Sequence, residues 1–352
     1  QREIADAIGI SYHTEQSDGS HKLVFTDDPS SHKPFPGYDT IPYRAAADAS
    51  RAKEHIDSWT WRKRVAPGKQ VLKDYDYTNP KSKLEATKTA SHSYPHGDLE
   101  RFEYPGFYTK QSDGDTLAQI RIDEATCAEY MVTGTARCWG LAAGSIFTLG
   151  DFPRKDQNKS WLTTAVEIVV STAEDAEQGS RGYSCLATFT AIPGDVKYRP
   201  ARTTPVPRIA GHQTAVVVGP AGHDKKSPYT DEYGNIRVQF RWDRQGEDNE
   251  KSSCWIRYHQ IAAGPGWGAV FVPRIGCEVT VVFEGGDPDR PLAIGSLYNA
   301  DNKPATSLPG EAKTFAIQDD GGNYLTLKPD DGNQVVTIYS TTDKTKLKVG
   351  KT

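Results

Sequence analysis

Hydrophobic and polar residues alternate with a period of two through much of residues 211–299. Ile236, Val238, Phe240 and Trp242 take one set of positions while Arg237, Gln239 and Arg241 take the other, the pattern of a half-buried strand. Cys277, Val279, Val281 and Phe283 repeat it against Glu278 and Thr280, and Cys254, Ile256, Tyr258 and Leu292, Ile294, Tyr298 follow it more loosely. Residues 213–219 add a fifth run with three consecutive valines. Between the runs lie turn residues: Asp231-Glu232-Tyr233-Gly234-Asn235, then Gly264-Pro265-Gly266-Trp267-Gly268, then Gly285-Gly286-Asp287-Pro288-Asp289-Arg290-Pro291. Short strands separated by such turns predict a small closed barrel, of which the five-stranded OB type is the commonest form.

The same reading extends along the chain. Residues 1–9 have the spacing of a helix tail, with Ile4 and Ile8 four apart and Gly9 as the stop. Residues 10–25 predict a hairpin about Ser17-Asp18-Gly19-Ser20, residues 30–42 a surface loop, and residues 55–77 a second hairpin turning at Pro67-Gly68. Asp115 is the expected N-cap of a helix running to about Met131. Strands are expected at 133–138, 145–149, 162–171 and 183–192, the last with Tyr183, Cys185, Ala187 and Phe189 on a barrel wall. Pro200, Pro205 and Pro207 mark an extended linker, and 300–310 is a second, short connector. At the end, the doublets Leu325/Leu327, Val336/Ile338 and Leu347/Val349 recur every eleven residues with polar segments between them. That period means stacked strands. A thin sheet is marginal alone in water, so these six residues are the candidate core of a homo-oligomer, three chains wound about one axis.

Composition narrows the function. The chain of 352 residues is 36% hydrophobic and 25% charged with net charge -4, which sets it apart from nucleic-acid proteins despite the OB-type barrel. No apolar run reaches the ~20 residues of a membrane span. Cys127, Cys138, Cys185, Cys254 and Cys277 form no C-x-x-C pair and read as buried apolar residues of a reducing compartment. His92 and His96 have helix-ligand spacing, yet Pro95 between them forbids the helix. The glycines at 264–268 precede a strand and lack the Lys-Ser/Thr of a phosphate loop. Asp27, Asp28 and the aspartates of 285–291 read as turn formers, not as acid pairs or calcium ligands. The predicted site list therefore holds no catalytic residue, no metal and no cofactor.

The wording GHQTAVVVGPAG (211–222), TDEYGNIRVQFRWDRQG (230–246), SSCWIRYHQIAAGPGWG (252–268) and VPRIGCEVTVVFEGGDPDRPLAIGSLYN (272–299) closely resembles the OB domain of the VgrG family. VgrG proteins are trimeric spikes of the bacterial type VI secretion system, related to the hubs and tail-lysozyme spikes of contractile phages. GISYHTEQSDGSHKLVFTDDP (9–29), Asp74-Tyr75-Asp76-Tyr77 and Glu103-Tyr104-Pro105-Gly106 resemble the hub of the same family. The residues carrying the OB signature are Gly234, Trp242, Asp243, Cys254, Trp255, Gly264, Trp267, Gly268, Pro273, Arg274, Gly276, Gly286, Asp287, Pro288, Arg290 and Pro291. Cys277 and Asn235 depart from the family pattern, the latter standing where a basic residue is usual.

The resemblance implies a mainly β protein: a hub over 1–199 with its start missing, a linker over 200–210, an OB-type barrel over 211–299, a connector over 300–310 and the start of an intertwined β-prism needle over 311–352. It implies a homotrimer that caps the Hcp tube, meets baseplate components, carries a PAAR-type tip and effectors on its full needle, and touches the target membrane transiently. Export from the bacterial cytoplasm would need no signal peptide. Two alternatives stand beside it: a phage tail hub for attachment, and an OB-type oligosaccharide binder stacking sugars on Trp59, Trp61 and Trp267.

Overall fold

A computed structural model describes residues 5, 7–45, 54–174 and 181–350. They divide into two compact units, Gln1–Val206 and Pro207–Thr352. The helix tail expected over 1–9 lies largely outside the described residues.

In the first unit, β1 (Ser11–Ser17) and β2 (Ser20–Thr26) form the expected hairpin, with Gly19 at φ 71° in its turn. The chain continues through β3 (Thr40–Pro42), β4 (His55–Lys63), β5 (Lys69–Lys73), β6 (Glu85–Thr89), β7 (Glu100–Glu103), α1 (Gln111–Cys127), β8 (Tyr130–Arg137), β9 (Ile146–Gly150), β10 (Ser160–Glu174) and β11 (Arg181–Pro193). Six strands assemble in the order β3-β9-β10-β11-β8-β4, antiparallel except where β3 lies beside β9. A parallel bridge from Tyr43 to Ile56, with Arg44 N donating to Ile56 O at 2.9 Å, joins the two edges and closes the sheet. Trp59 lies at the centre of its interior, with ring centroids 5.1 Å from Trp161, 6.0 Å from Phe189 and 6.4 Å from Phe147.

Four expectations for this unit need correction. Residues 55–77 are not a hairpin: β4 pairs with β8, whereas β5 pairs with β6 and β7 in a separate three-stranded sheet. Pro67-Gly68 leads into β5 without turning the chain back on β4, and Gly68 N and Lys69 N are taken by Leu99 O. The helix starts at Gln111, four residues before the expected cap, and ends at Cys127, leaving Met131 in β8. Gly114 in its first turn lets the buried Tyr108 ring lie against the backbone, where an added Cβ would sit 2.4 Å from the ring, and the Tyr108 hydroxyl donates to Leu72 O. Tyr183 is 67% exposed, unlike Cys185, Ala187 and Phe189, because it lies four residues beyond the last β8 partner of β11, past the contact of Cys185 with Cys138. Thr40–Pro42, expected as loop, is strand β3.

The second unit opens with β12 (Gln213–Val218), β13 (Arg237–Phe240), β14 (Arg257–Tyr258), the small pair β15 (Ala263–Gly264) and β16 (Trp267–Gly268), β17 (Glu278–Phe283) and β18 (Pro291–Leu297). The sheet order is β13-β12-β17-β18-β14, with β14 parallel to β18, and the bridge between Ile236 and Ile256 joins the remaining edges. Numbering the five main strands along the chain gives the circuit 1-2-3-5-4-1, which is the OB topology. Ala215, Val217, Ile236, Val238, Ile256, Val279, Val281 and Ala293 fill its interior. Beyond it, β19 (Phe315–Gln318), β20 (Tyr324–Lys328), β21 (Val335–Tyr339) and β22 (Lys346–Gly350) form an antiparallel meander in chain order.

The barrel also departs from expectation in detail. Strand β13 stops at Phe240, so Trp242 leaves the wall and is 60% exposed, stacked on the Phe240 ring at 5.2 Å. Gln239, expected on the wet face, is buried; its amide donates to Asp243 O and accepts from Asp248 N, fastening the loop that follows. Of the cysteines, Cys127, Cys138 and Cys185 are buried as expected, but Cys254 is exposed and Cys277 half-buried.

Candidate functional site

The terminal meander owes its geometry to strict alternation. Leu325 pairs with Ile338 and Ile338 with Leu347; Leu327 pairs with Val336 and Val336 with Val349. Because side chains two apart share a face, all six doublet residues point the same way. A fourth doublet extends both rows, Phe315 opposite Leu327 and Ile317 opposite Leu325. Sequence reading missed it because its offset from the next doublet is ten residues, not eleven. The resulting eight-residue apolar face is uncovered in a single chain: Phe315 is 68% exposed, Val349 60%, Leu347 57% and Ile338 52%. The opposite face carries Thr326, Lys328, Lys346 and Lys348 around a stacked Tyr324–Tyr339 pair 5.0 Å apart, with Thr337 buried among them.

The turns that hold this sheet and the barrel use one device twice. Asp231 Oδ1 accepts from Asn235 N at 2.9 Å while its Oδ2 accepts from the Asn235 side-chain amide at 2.7 Å. Asp319 and Asn323 repeat both bonds at 2.8 Å. Gly234 and Gly322, at φ 75° and 86°, supply the left-handed residue each turn needs. Asn235, where the family pattern has a basic residue, is buried here, and its short side-chain amide closes the turn on Asp231. Arg274 links barrel to meander: its guanidinium donates to Val272 O and lies 3.5 Å from Asp320.

The other signature residues are placed as follows. Asp243 accepts from Gln245 N and Gly246 N, which together hold its carboxyl below the usual range. Trp255 lies beneath the Arg237 guanidinium, 4.5 Å away, and Cys254 precedes it at the surface. Gly264 lies under the exposed Trp267 ring, where a Cβ would sit 2.2 Å from ring atoms; Gly268 likewise faces Ala262 O. Pro273 is buried, and Gly276, at φ 92°, donates its N–H to Val217 O. In the loop before β18, Asp287 accepts from Asp289 N and lies 3.7 Å from Arg290, Gly286 O accepts from Ile209 N, and Pro288 and Pro291 flank the turn. Asp231, Asp243, Asp287 and Asp319 are thus turn formers that accept local backbone amides.

The tryptophans proposed for sugar stacking are differently placed. Trp59 is buried in the first unit's core, Trp61 lies under the Arg154 guanidinium at 4.6 Å, and Trp267 belongs to the second unit. His92 lies 3.2 Å from Glu129 and 3.3 Å from Pro67 O, and His96 stands in the following turn at φ 63°. Among the described residues, no three His, Cys, Asp or Glu side chains are grouped to hold a metal, and no helix is long and apolar enough to cross a membrane.

A closed hub barrel with a helix-backed side sheet, followed by an OB barrel and an open apolar meander, defines a baseplate-type hub and injector. Residues 4–174 match the family model described as phage tail baseplate hub (GPD), and residues 226–298 match that of the type VI secretion system/phage-baseplate injector OB domain. The type VI secretion system spike protein VgrG1b of Pseudomonas aeruginosa is 37% identical over 310 residues, 88% of this chain and 41% of that protein. A Vibrio cholerae protein named actin cross-linking toxin VgrG1 is 32% identical over 351 residues, 97% of this chain and 31% of that one. The structure titled Francisella PdpA-VgrG Complex, Lidded, shares the fold at TM-score 0.51 and 6% identity, covering 99% of this chain and 55% of that chain. The chain belongs to the VgrG family of type VI secretion spike proteins, and it spans less than half the length of these curated relatives.

Proposed function

We propose that this chain is the hub, injector barrel and first needle sheet of a secretion spike that works as a homotrimer, and that its task is mechanical. The observation that carries this reading is the eight-residue apolar face of β19–β22. A four-stranded sheet with one bare face gains stability when copies of itself cover that face, and three copies about an axis bury every row. A spike driven by sheath contraction needs chains that do not separate under load, and a shared β core with many backbone hydrogen bonds meets that need. In this reading the trimer caps the Hcp tube, contacts the baseplate, and bears a PAAR-type tip and effectors on the remainder of its needle. It passes from the bacterial cytoplasm to the outside or into a target cell, touching the membrane transiently.

The portion in hand is proposed as non-enzymatic: its turn aspartates accept backbone amides, and the buried Asp74 accepts from Tyr75 N, Phe107 N and Tyr108 N. The Vibrio relative is named an actin cross-linking toxin, and this chain covers 31% of its length. The domain assignment is likewise proposed as hub 1–199, linker 200–210, barrel 211–299, connector 300–310 and needle 311–352. Light scattering across protein concentration and salt tests the reading. A mass of three chains that persists in high salt is expected. A monomer whose β19–β22 amides are protected from exchange would overturn it, because the bare face would then need no partner.

A further inference from the structure

Two buried cysteines lie side by side in the hub barrel with no assigned role. The pairing of β11 with β8 puts Ala187 opposite Ala136. Continued by two residues, the same antiparallel register puts Cys185 opposite Cys138, with both side chains on the interior face that also carries Ala136 and Ala187. The Cys185 thiol donates to Cys138 O at 3.4 Å, a direct contact between the two residues. Cβ atoms of residues directly opposite on antiparallel strands are about 4.5–5.5 Å apart, and a disulfide needs about 3.5–4.5 Å, so a small local adjustment suffices. Cys185 is 6% exposed and Cys138 fully buried, at the strand end next to the half-exposed Trp139.

We propose that Cys138 and Cys185 are a cross-strand dithiol that closes to a disulfide when the protein leaves a reducing compartment for an oxidising one. The passage rests on the secretion reading; the pairing itself rests on the register alone. With a small-molecule disulfide such as glutathione disulfide as oxidant, the Cys185 thiolate attacks one sulfur, forms a mixed disulfide and releases one glutathione thiolate. The Cys138 thiolate then attacks the Cys185 sulfur and expels the second. The protein loses two electrons and two protons, and the oxidant becomes two thiols. Burial pushes both protein thiols up, that of Cys138 to about 12. The pair is therefore inert while the barrel end is closed and reacts when β8 and β11 fray there. The bond would pin the end of β8 to the root of the long β10–β11 arm.

The test is disulfide mapping of the purified chain after reduction, in two arms: the folded protein equilibrated in glutathione redox buffer, and the denatured protein refolded in the same buffer. Both are quenched by alkylation and read by peptide mass spectrometry. A peptide joining Cys138 to Cys185, lighter by two hydrogens, is expected in the refolded arm and more slowly in the folded one. Cys138→Ala and Cys185→Ala should each abolish it, while Cys127 remains alkylatable. The oxidised wild type should melt about 10 °C higher than the reduced form, the order expected for closing a loop of this length. Glutathione adducts without a cross-link, free thiols at both positions after refolding, or a cross-link that lowers Tm would each overturn the proposal. None of these results depends on oligomeric mass, so failure here is distinguishable from failure of the spike reading.

Discussion

Replacing Ile338 with aspartate puts a carboxylate at the centre of the β19–β22 apolar face, between Leu325 and Leu347 in its row. In a single chain the residue is 52% exposed, so the isolated fold should tolerate the change. Assembly should not. Fully burying an isoleucine is worth roughly 1.5–3 kcal/mol, so covering the remaining half contributes about 1 kcal/mol per chain and about 3 kcal/mol per trimer. Each aspartate carried into the shared core adds a desolvation penalty of several kcal/mol, or must take up a proton. Three such penalties raise the total to roughly 10 kcal/mol, about seven decades in the assembly constant. Light scattering at micromolar concentration should thus show wild-type trimer and Ile338→Asp monomer, with near-identical far-UV circular dichroism. Lys348→Asp is the control: it changes charge on the opposite face, across from Thr337, and should leave the mass at three chains. A trimeric Ile338→Asp, or an equal loss in both variants, would show that the apolar face is not what holds the chains together.

Three further outcomes are expected. Glu124 meets the buried Arg121 at 3.4 Å and Arg202 at 3.2 Å, and Arg202 also holds Glu103, so Glu124→Ala leaves Arg121 with Ala7 O but without its carboxylate and should cost the first unit about 3 kcal/mol in denaturant melts; a loss below half of that would refute the network's role. The interior Trp59, ringed by Trp161, Phe147 and Phe189, should cost about 3–5 kcal/mol on truncation to alanine, read the same way. Burial, then the His32 ring, lowers the pKa of His13, so the unfolded chain binds the proton first and stability should fall as pH drops below about 6.5. Glu103, lowered by the paired Arg202 against the pull of burial, acts in the same sense at lower pH; His13→Gln should flatten the upper part of the melting-temperature profile, and an unchanged profile would count against the assignment.

What could be read from the sequence was whatever is fixed by neighbours along the chain. The β12–β18 barrel, the β1–β2 hairpin and the rows of the meander all rest on alternation plus glycine turns, and both signals are local. Pairing across distance was not legible. Nothing between Lys63 and Lys69 tells β4 to join β8 and β5 to join β6, because that choice is made by the aromatic interior around Trp59 and by Leu99 O capturing the amides after Pro67. The helix start was misplaced for a related reason. Asp115 has the composition of a cap, but the turn is set by Tyr108 lying against Gly114, a contact no spacing rule contains. Gln239 shows the same limit within one strand: its polarity marked it for solvent, yet its two loop partners, Asp243 O and Asp248 N, made burial favourable.

The missed Phe315/Ile317 doublet bears directly on the assembly. A period of eleven suggested three rungs beginning at Leu325, which would leave the Leu325/Leu327 edge facing the connector. With β19 in place the face grows from six residues to eight, and its new edge lies next to the connector that leads from the OB barrel. The edge is also held to the barrel through Asp320 and Arg274, and the β19–β20 turn is locked by the Asp319–Asn323 pair. The first rung of the face is therefore fixed before any partner arrives. A prefixed rung lowers the ordering cost that each chain must meet when the faces come together, since fewer backbone dihedrals remain free. On this physics the contact begins beside the barrel and propagates outward along β20, β21 and β22, so substitutions at Phe315 or Ile317 should slow assembly more than equivalent ones at Leu347 or Val349.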